Sequence, residues 1–145
     1  MEILTKLMNL PEIEIVRVEI IENELHIYSN SSLNFGYCPL GGEMVSNTKS
    51  YHERVIRDLS ICGKLVYIYL KVRQLYCKEH GEYFYQSFSF VEPNAVLTNR
   101  YKEYIYNSCK GVDIKYVATR ENLSWDTVND LFKNYSQQEI EKKKD

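Results

Sequence analysis

The chain has 145 residues, of which 44% are hydrophobic and 26% are charged, and its formal net charge is −2. This length fits one medium domain or two small ones, and this composition excludes an intrinsically disordered chain. No apolar run is long enough to cross a bilayer and no signal-peptide region opens the chain, so we expect a cytoplasmic protein without a membrane partner. In that compartment the four cysteines are better explained as metal ligands or core residues than as disulfides.

The first half of the chain shows the two-residue alternation of β-strands. Apolar residues between Ile13 and Ile27 predict a β-hairpin around a polar turn at residues 22–24. The clearest strand runs from Leu65 to Arg73, where Val, Ile and Leu at even positions alternate with Tyr, Lys and Arg. Further strands are predicted over residues 51–59 and 83–90. Together these strands predict an antiparallel sheet.

Two short metal-binding motifs, which we call knuckles, flank the central strands. The first, at residues 37–42, has the form of a Cys-Pro-x-Cys-Gly knuckle, but Gly41 stands where a second thiolate is expected. The second, at residues 76–81, has an intact Cys-x-x-His spacing. A structural zinc ion takes four N or S ligands in a tetrahedron, so we expect a zinc-ribbon-like domain with an incomplete Zn²⁺ site. A metal-free ribbon held by its aromatic core is the alternative. The three donors are Cys38, Cys77 and His80.

The second half of the chain changes to the 3.6-residue period of helices after residues 92–94. Three short helices are predicted, with Thr98, Asp113 and Ser124 as their N-caps. The chain therefore has a predicted α+β fold class. The predicted domains are a zinc-ribbon-like β domain over residues 1–92, a tri-helical helix-turn-helix domain over residues 93–138 and a polar tail over residues 139–145. We expect the last ten residues, 136–145, to be frayed.

The last two helices have the spacing of a helix-turn-helix. Small Ala118 lets them approach closely, and Ser124 begins the helix whose first residues would enter a major groove. Asp126 and Asp130 would repel phosphate, so a helical bundle that packs against protein is the alternative.

Residues 45–82 carry seven basic and four acidic side chains, which would add positive potential near a DNA backbone. An ordinary solvated sheet face is the alternative to that reading. The predicted DNA-binding residues are Arg54, Arg57, Arg73, Ser124, Trp125, Thr127, Asn129 and Lys133.

The order of these motifs resembles the N-terminal half of the ISL-three family of bacterial insertion-sequence transposases. The resemblance extends from about Leu7 to about Tyr135 and implies a module that binds double-stranded DNA at transposon ends. The family's catalytic domain would begin where this chain stops, and no catalytic residue can be assigned, so we expect no enzyme activity. The matching motifs are Leu7–Pro11, Cys38–Gly42, Tyr51–Ser60, Arg73–Cys77 and Leu123–Val128.

The leading hypothesis is therefore a truncated transposase derivative that binds transposon-end DNA. It would act as a competitor or regulator at element ends, or be an inert remnant. The alternative from another class is a protein-interaction module that docks on a full-length transposase or self-associates. A host transcription regulator with the same architecture is a third reading.

Overall fold

The computed structural model describes residues 1–144 and divides into two compact units. The first unit runs from Met1 to Thr98 and contains the strands, and the second begins at Asn99 and is helical. The predicted α+β class is therefore confirmed. The elements of the first unit are α1 (Glu2–Met8), β1 (Ile13–Ile21), β2 (Glu24–Ser31), β3 (Gly36–Tyr37), β4 (Met44–Val45), β5 (Thr48–Ile61), β6 (Lys64–Cys77) and β7 (Glu82–Tyr85). The elements of the second unit are α2 (Asn99–Ser108), α3 (Ile114–Glu121) and α4 (Trp125–Lys144).

One face of the main sheet forms the apolar core of the first unit. Val66, Ile68, Leu70 and Val72 on β6 are all 0% exposed, which confirms the alternation predicted for this strand. Apolar side chains of α1 and of residues 88–91 belong to the same cluster. Each fully buried aliphatic side chain contributes about 1.5 to 3 kcal/mol, so this core supplies stability without help from the knuckles.

The order of the strands differs from a purely antiparallel sheet. The strands lie in the order β1-β2-β6-β5, with β7 paired to the end of β6. The hairpins β1–β2 and β5–β6 are antiparallel, but β2 and β6 are parallel, with registers from Glu24↔Leu65 to Asn30↔Lys71. The expectation of an antiparallel sheet is wrong for this pair. The two hairpins meet through their second strands, and these second strands run in the same direction.

The first unit extends beyond the boundary predicted at residue 92. The backbone N–H of Arg57 donates to the carbonyl of Val96 at 2.8 Å, and the N–H of Thr98 donates to the carbonyl of Arg57 at 2.9 Å. The Thr98 hydroxyl also donates to the buried Asp58 carboxylate at 2.7 Å. These bonds attach residues 96–98 to the edge of β5, so the compact unit ends at Thr98.

The last helix is longer than the sequence predicts. α4 continues to Lys144, so residues 139–144 are helical rather than a frayed tail, and Asp145 lies outside the described residues. The Glu139 carboxylate accepts a hydrogen bond from Tyr106 and lies 3.4 Å from the Lys110 ammonium. These two partners lower the pKa of Glu139 and attach the end of α4 to its own unit. Within residues 1–144, no helix is both long and apolar enough to cross a membrane.

Candidate metal centre and nucleic-acid interface

The first knuckle is the turn of the β3–β4 hairpin. The N–H of Gly42 donates to the carbonyl of Cys38 at 2.8 Å, which closes the turn. Gly42 has φ +79°, a left-handed conformation that glycine adopts without strain. The N–H of Cys38 donates to the carbonyl of Glu43 at 2.9 Å, so the residue after the two glycines lies opposite the cysteine. This pairing fixes the Cys38 thiol and the Glu43 side chain on one short hairpin.

The second knuckle joins β6 to β7. Cys77 is the last residue of β6 and is 2% exposed, and Gly81 turns the chain with φ +61°. Burial raises the pKa of the Cys77 thiol, and the neighbouring Cys38 raises it further. Backbone N–H groups of His80 and Glu79 act in the opposite direction. A thiol held in this state releases its proton when a cation replaces it, because metal ions bind the thiolate.

The two knuckles bring four potential ligands together, one more than the sequence predicts. The Nδ1 of His80 lies 3.7 Å from the Cys38 sulfur, 3.5 Å from the Cys77 sulfur and 3.3 Å from a Glu43 oxygen. The Cys77 sulfur lies 3.6 Å from the other Glu43 oxygen. All four donor atoms lie within 4.8 Å of one another. Zinc bond lengths of about 2.0 to 2.3 Å give tetrahedral edges of about 3.3 to 3.8 Å, so the distances from the His80 Nδ1 are those of a zinc site, and all four donors are of types that bind zinc.

Gly41 explains why a carboxylate reaches this cluster. A Cβ atom at position 41 would overlap the Glu43 carboxylate and the His80 ring. The absent side chain therefore leaves the space that Glu43 enters. Sequence reasoning missed Glu43 because the residue lies one position beyond the Cys-Pro-x-x-Gly pattern of the first knuckle, and zinc ribbons use N and S ligands at the expected positions. The signal for it was the pair Gly41-Gly42 directly before an acidic residue.

The helix-turn-helix in the second unit has the local geometry that its sequence predicts. Asp113 accepts from the N–H of Lys115 at 3.2 Å and caps α3. Asn122, with φ 52°, ends α3 in the left-handed region. The hydroxyl oxygen of Ser124 accepts from the N–H of Thr127 at 3.1 Å and caps α4. These caps satisfy helix-end groups and fix the three-residue turn between the helices.

The two faces of α4 near its start are different. Val128 is 0% exposed and Leu131 is 7% exposed, so this face packs in the helical unit. Trp125, Asn129 and Lys133 recur every four residues and therefore lie on one face of the helix. Trp125 is 50% exposed, Lys133 is exposed and Asn129 is half-buried.

The other polar residues at the start of α4 either cap the helix or carry exposed negative charge. Ser124 and Thr127 bond to each other in the cap, at 2.7 Å between their side-chain oxygens. Asp126 and Asp130 are exposed. The first turns of α4 therefore present the face of Trp125, Asn129 and Lys133, together with two negative charges. We call the face formed by these three residues the reading face.

A buried carboxylate supports α3 and was not foreseen from the sequence. Glu121 is 4% exposed and accepts a hydrogen bond from the buried Tyr101 hydroxyl at 2.7 Å. The Nε of Arg120 lies 2.8 Å from the other Glu121 oxygen, and this bond raises the pKa of Arg120. Such a paired carboxylate links α2 to the end of α3 and fixes the helix that precedes the turn.

The three predicted DNA-binding arginines of the first unit have internal partners. The guanidinium of Arg54 donates to the carbonyls of Glu92 and Ala95 at 3.0 and 2.8 Å, and burial lowers its pKa. Arg57 is 7% exposed, with its guanidinium 4.7 Å from the centre of the Tyr67 ring.

Arg73 has a similar internal role. Its guanidinium donates to the carbonyl of Leu33 at 3.1 Å and to the Tyr51 hydroxyl at 2.9 Å. These contacts hold loops and neighbouring strands of the sheet unit. A count of basic residues along the sequence could not reveal them.

Two family matches follow one another along the chain. Residues 38–80 match the zinc-finger of transposase IS204/IS1001/IS1096/IS1165, and residues 86–136 match the helix-turn-helix domain of transposase family ISL3. Neither match is to a catalytic domain. No curated protein and no solved structure matches the chain significantly. The resemblance predicted from the motifs is confirmed: a zinc-ribbon region and a helix-turn-helix region of ISL3-type transposases follow one another in this chain.

Proposed function

We propose that the chain recognises double-stranded DNA at transposon ends and that the start of α4 enters the major groove. The observation that carries this proposal is the exposed face of α4 directly after a capped helix-turn-helix. In such motifs the N-terminal residues of the second helix contact base edges, while the first helix crosses the backbone. The family of the matched domain supports the same assignment.

Each of the three residues of this face suits a different contact. The amide of Asn129 matches the two hydrogen-bonding atoms of adenine in the major groove. The ammonium of Lys133 suits a phosphate, and the Trp125 ring suits apolar contact with a thymine methyl group. Ser124 and Thr127 hold the first turn of the helix in place.

The proposal assigns Arg54, Arg57 and Arg73 to the stability of the sheet unit, because their guanidinium groups already have partners there.

Zinc has a structural part in this proposal. Cys38, Cys77 and His80 would hold the ion, which would connect the β3–β4 hairpin to the β6–β7 turn. A structural zinc ion supplies folding energy rather than catalysis. The family of the matched zinc finger supports zinc as the metal.

The proposed role is recognition without strand cleavage. Both matched regions are recognition or structural domains, and the proposal is confined to what they do. A protein of this kind would work in the cytoplasm, as a competitor or regulator at element ends.

A titration of DNA against salt tests the proposal. Fluorescence anisotropy would compare binding to the inverted repeats of related elements with binding to random duplex over a range of salt concentrations. We expect tighter binding to the repeats and a decrease in affinity with salt, because phosphate contacts release counterions. Absence of binding at low salt, with or without zinc, would contradict the proposal, and equal binding to both duplexes would contradict the transposon-end specificity.

Lys133→Ala sharpens the same experiment. Loss of one phosphate contact should weaken binding to every duplex and lower the salt slope by about one. Lys142→Ala is the matched control, since Lys142 is exposed near the far end of the same helix. If both variants bind like the unmodified protein, Lys133 does not contact DNA.

One observation favours a protein-interaction module instead. Asp126 and Asp130 are exposed beside the proposed reading face and carry the charge that phosphate repels. The partner would then be a full-length transposase or a second copy of this chain. A mass that rises with protein concentration, in a protein that does not bind DNA, would select this second function.

A further inference from the structure

We infer that Glu43 is the fourth ligand of the zinc site and that Gly41 is what admits it. The two positions form a paired replacement, in which a carboxylate from residue 43 takes the place of a side chain missing at residue 41. The site would then be a closed Cys₂-His-Glu centre rather than a three-ligand remnant. This inference rests on the zinc part of the proposed function and is independent of DNA binding.

The distances from Glu43 to the other donors are similar to the distances among those donors. One carboxylate oxygen lies 3.3 Å from Nδ1 of His80, and the other lies 3.6 Å from the sulfur of Cys77. These distances reach different oxygens of one carboxylate, so they place the group next to the other donors, and one of the two oxygens would become the zinc ligand, with tetrahedral edges of about 3.4 to 3.6 Å. Asp and Glu oxygens are ordinary zinc ligands at about 2.0 to 2.2 Å.

The backbone holds Glu43 in this position. The carbonyl of Glu43 accepts the N–H of Cys38 at 2.9 Å, directly across the first knuckle. Gly42, with φ +79°, turns the chain between Gly41 and Glu43. The carboxylate therefore extends from the same hairpin as the first thiolate, and the glutamate side chain is long enough to reach the cluster.

Position 41 shows that only one of the two residues can fill this space. A Cβ atom there would overlap both the Glu43 carboxylate and the His80 ring, whereas a Cβ at Gly42 would meet nothing within 4 Å. A side chain at residue 41 would thus point into the cluster, which is where a ligand at that position would lie. Glycine at 41 and glutamate at 43 are consequently complementary.

Two other potential donors, Cys62 and His52, do not compete for this position. Among residues 1–144, the metal-ligating cluster consists of Cys38, Glu43, Cys77 and His80. Cys62 is exposed in the β5–β6 turn, and the His52 ring packs against Tyr85 with centroids 5.2 Å apart.

Metal titrations of single variants test the inference. Zinc affinity would be measured by competition with a chromophoric chelator, and Co²⁺ would report the ligands through its absorption bands. We expect one zinc per chain, and roughly a hundredfold weaker binding for Glu43→Gln, if four ligands share the binding free energy about equally. Gly41→Ala should also weaken binding, although alanine adds and removes no ligand, because its methyl group would overlap the Glu43 carboxylate and the His80 ring.

The matched control is Glu79→Gln. Glu79 is an exposed carboxylate inside the second knuckle but outside the cluster, so the same chemical change should leave zinc affinity unaltered. Far-UV circular dichroism of each variant would establish that the sheet is folded, since its main core is separate from the knuckles.

The double variant Gly41→Cys with Glu43→Ala, in which the space of the carboxylate is vacated, provides the decisive comparison. It should regain tight zinc binding, and its Co²⁺ complex should show the thiolate charge-transfer intensity of three sulfurs instead of two. Unchanged zinc affinity and an unchanged Co²⁺ spectrum in Glu43→Gln would overturn the inference. So would the absence of zinc binding by the unmodified protein. A failure to bind DNA would count against the proposed function and leave this result intact.

Discussion

The basic side chains that the sequence predicts to contact DNA have different surroundings in the two units of this protein. In the sheet unit, Arg54 and Arg73 donate to backbone carbonyls, and Arg57 is 7% exposed. In the helical unit, Lys133 extends from an exposed face of α4, at the point where a recognition helix would meet DNA. At least three of the seven basic side chains in residues 45–82 are therefore held by contacts within the sheet unit. The hydrogen-bond and ring partners of a basic side chain, rather than its charge alone, therefore indicate whether that side chain is available to bind DNA.

Among the variants that test this difference between the units, Arg54→Ala should change the free energy of unfolding most. The carbonyls of Glu92 and Ala95 would lose a charged donor, and charge-assisted bonds to a partly buried group are worth about 1.5 to 3 kcal/mol. We expect the free energy of unfolding to fall by about 2 kcal/mol in urea denaturation. DNA affinity of the folded variant should not change.

Lys6→Ala is the control for that measurement. Lys6 is an exposed basic residue of the same unit and pairs with Glu2 across one helical turn. Such a pair contributes about 0.5 kcal/mol or less. If Arg54→Ala remains as stable as Lys6→Ala but loses DNA affinity, the sheet unit contributes to the DNA interface and the comparison fails.

The double variant Asp126→Asn with Asp130→Asn has a smaller expected effect, and it acts on the helical unit. Removal of two exposed negative charges beside the reading face should raise affinity for DNA a few-fold at low salt, because both carboxylates repel phosphate. The salt series described for Lys133→Ala would measure it. Unfolding free energy should change little, since both side chains are exposed.

The same variant separates the two proposed functions. Unchanged DNA affinity, together with loss of self-association or of transposase binding, would assign these aspartates to a protein interface. That outcome would favour a protein-interaction module over a DNA-recognition module.

Local structure could be predicted from the sequence where one residue pattern determines it. The alternation from Leu65 to Arg73 fixes which side chains of β6 are buried, and the caps at Asp113 and Ser124 fix where α3 and α4 begin. The order of the strands could not be predicted in this way. Alternation identifies the face of a strand but not its neighbour, so the parallel pairing of β2 with β6 was missed.

The metal cluster shows a similar division. The spacing of Cys77 and His80 predicts a knuckle, because two ligands on one turn can reach one ion. Glu43 could not be assigned from spacing, since its approach depends on the empty space at Gly41 and on a bond across the hairpin to Cys38. The internal partners of Arg54 were likewise hidden, because they lie on a segment about forty residues away in the chain.

Hydrogen exchange with and without duplex DNA would show which unit of the protein contacts DNA. We expect an inverted-repeat duplex to protect backbone amides within residues 113–133, where α3, the turn and the start of α4 lie. Residues 45–82 should exchange at the same rate in both conditions. Protection confined to residues 45–82, or no protection at a DNA concentration that saturates binding, would contradict recognition through the helix-turn-helix.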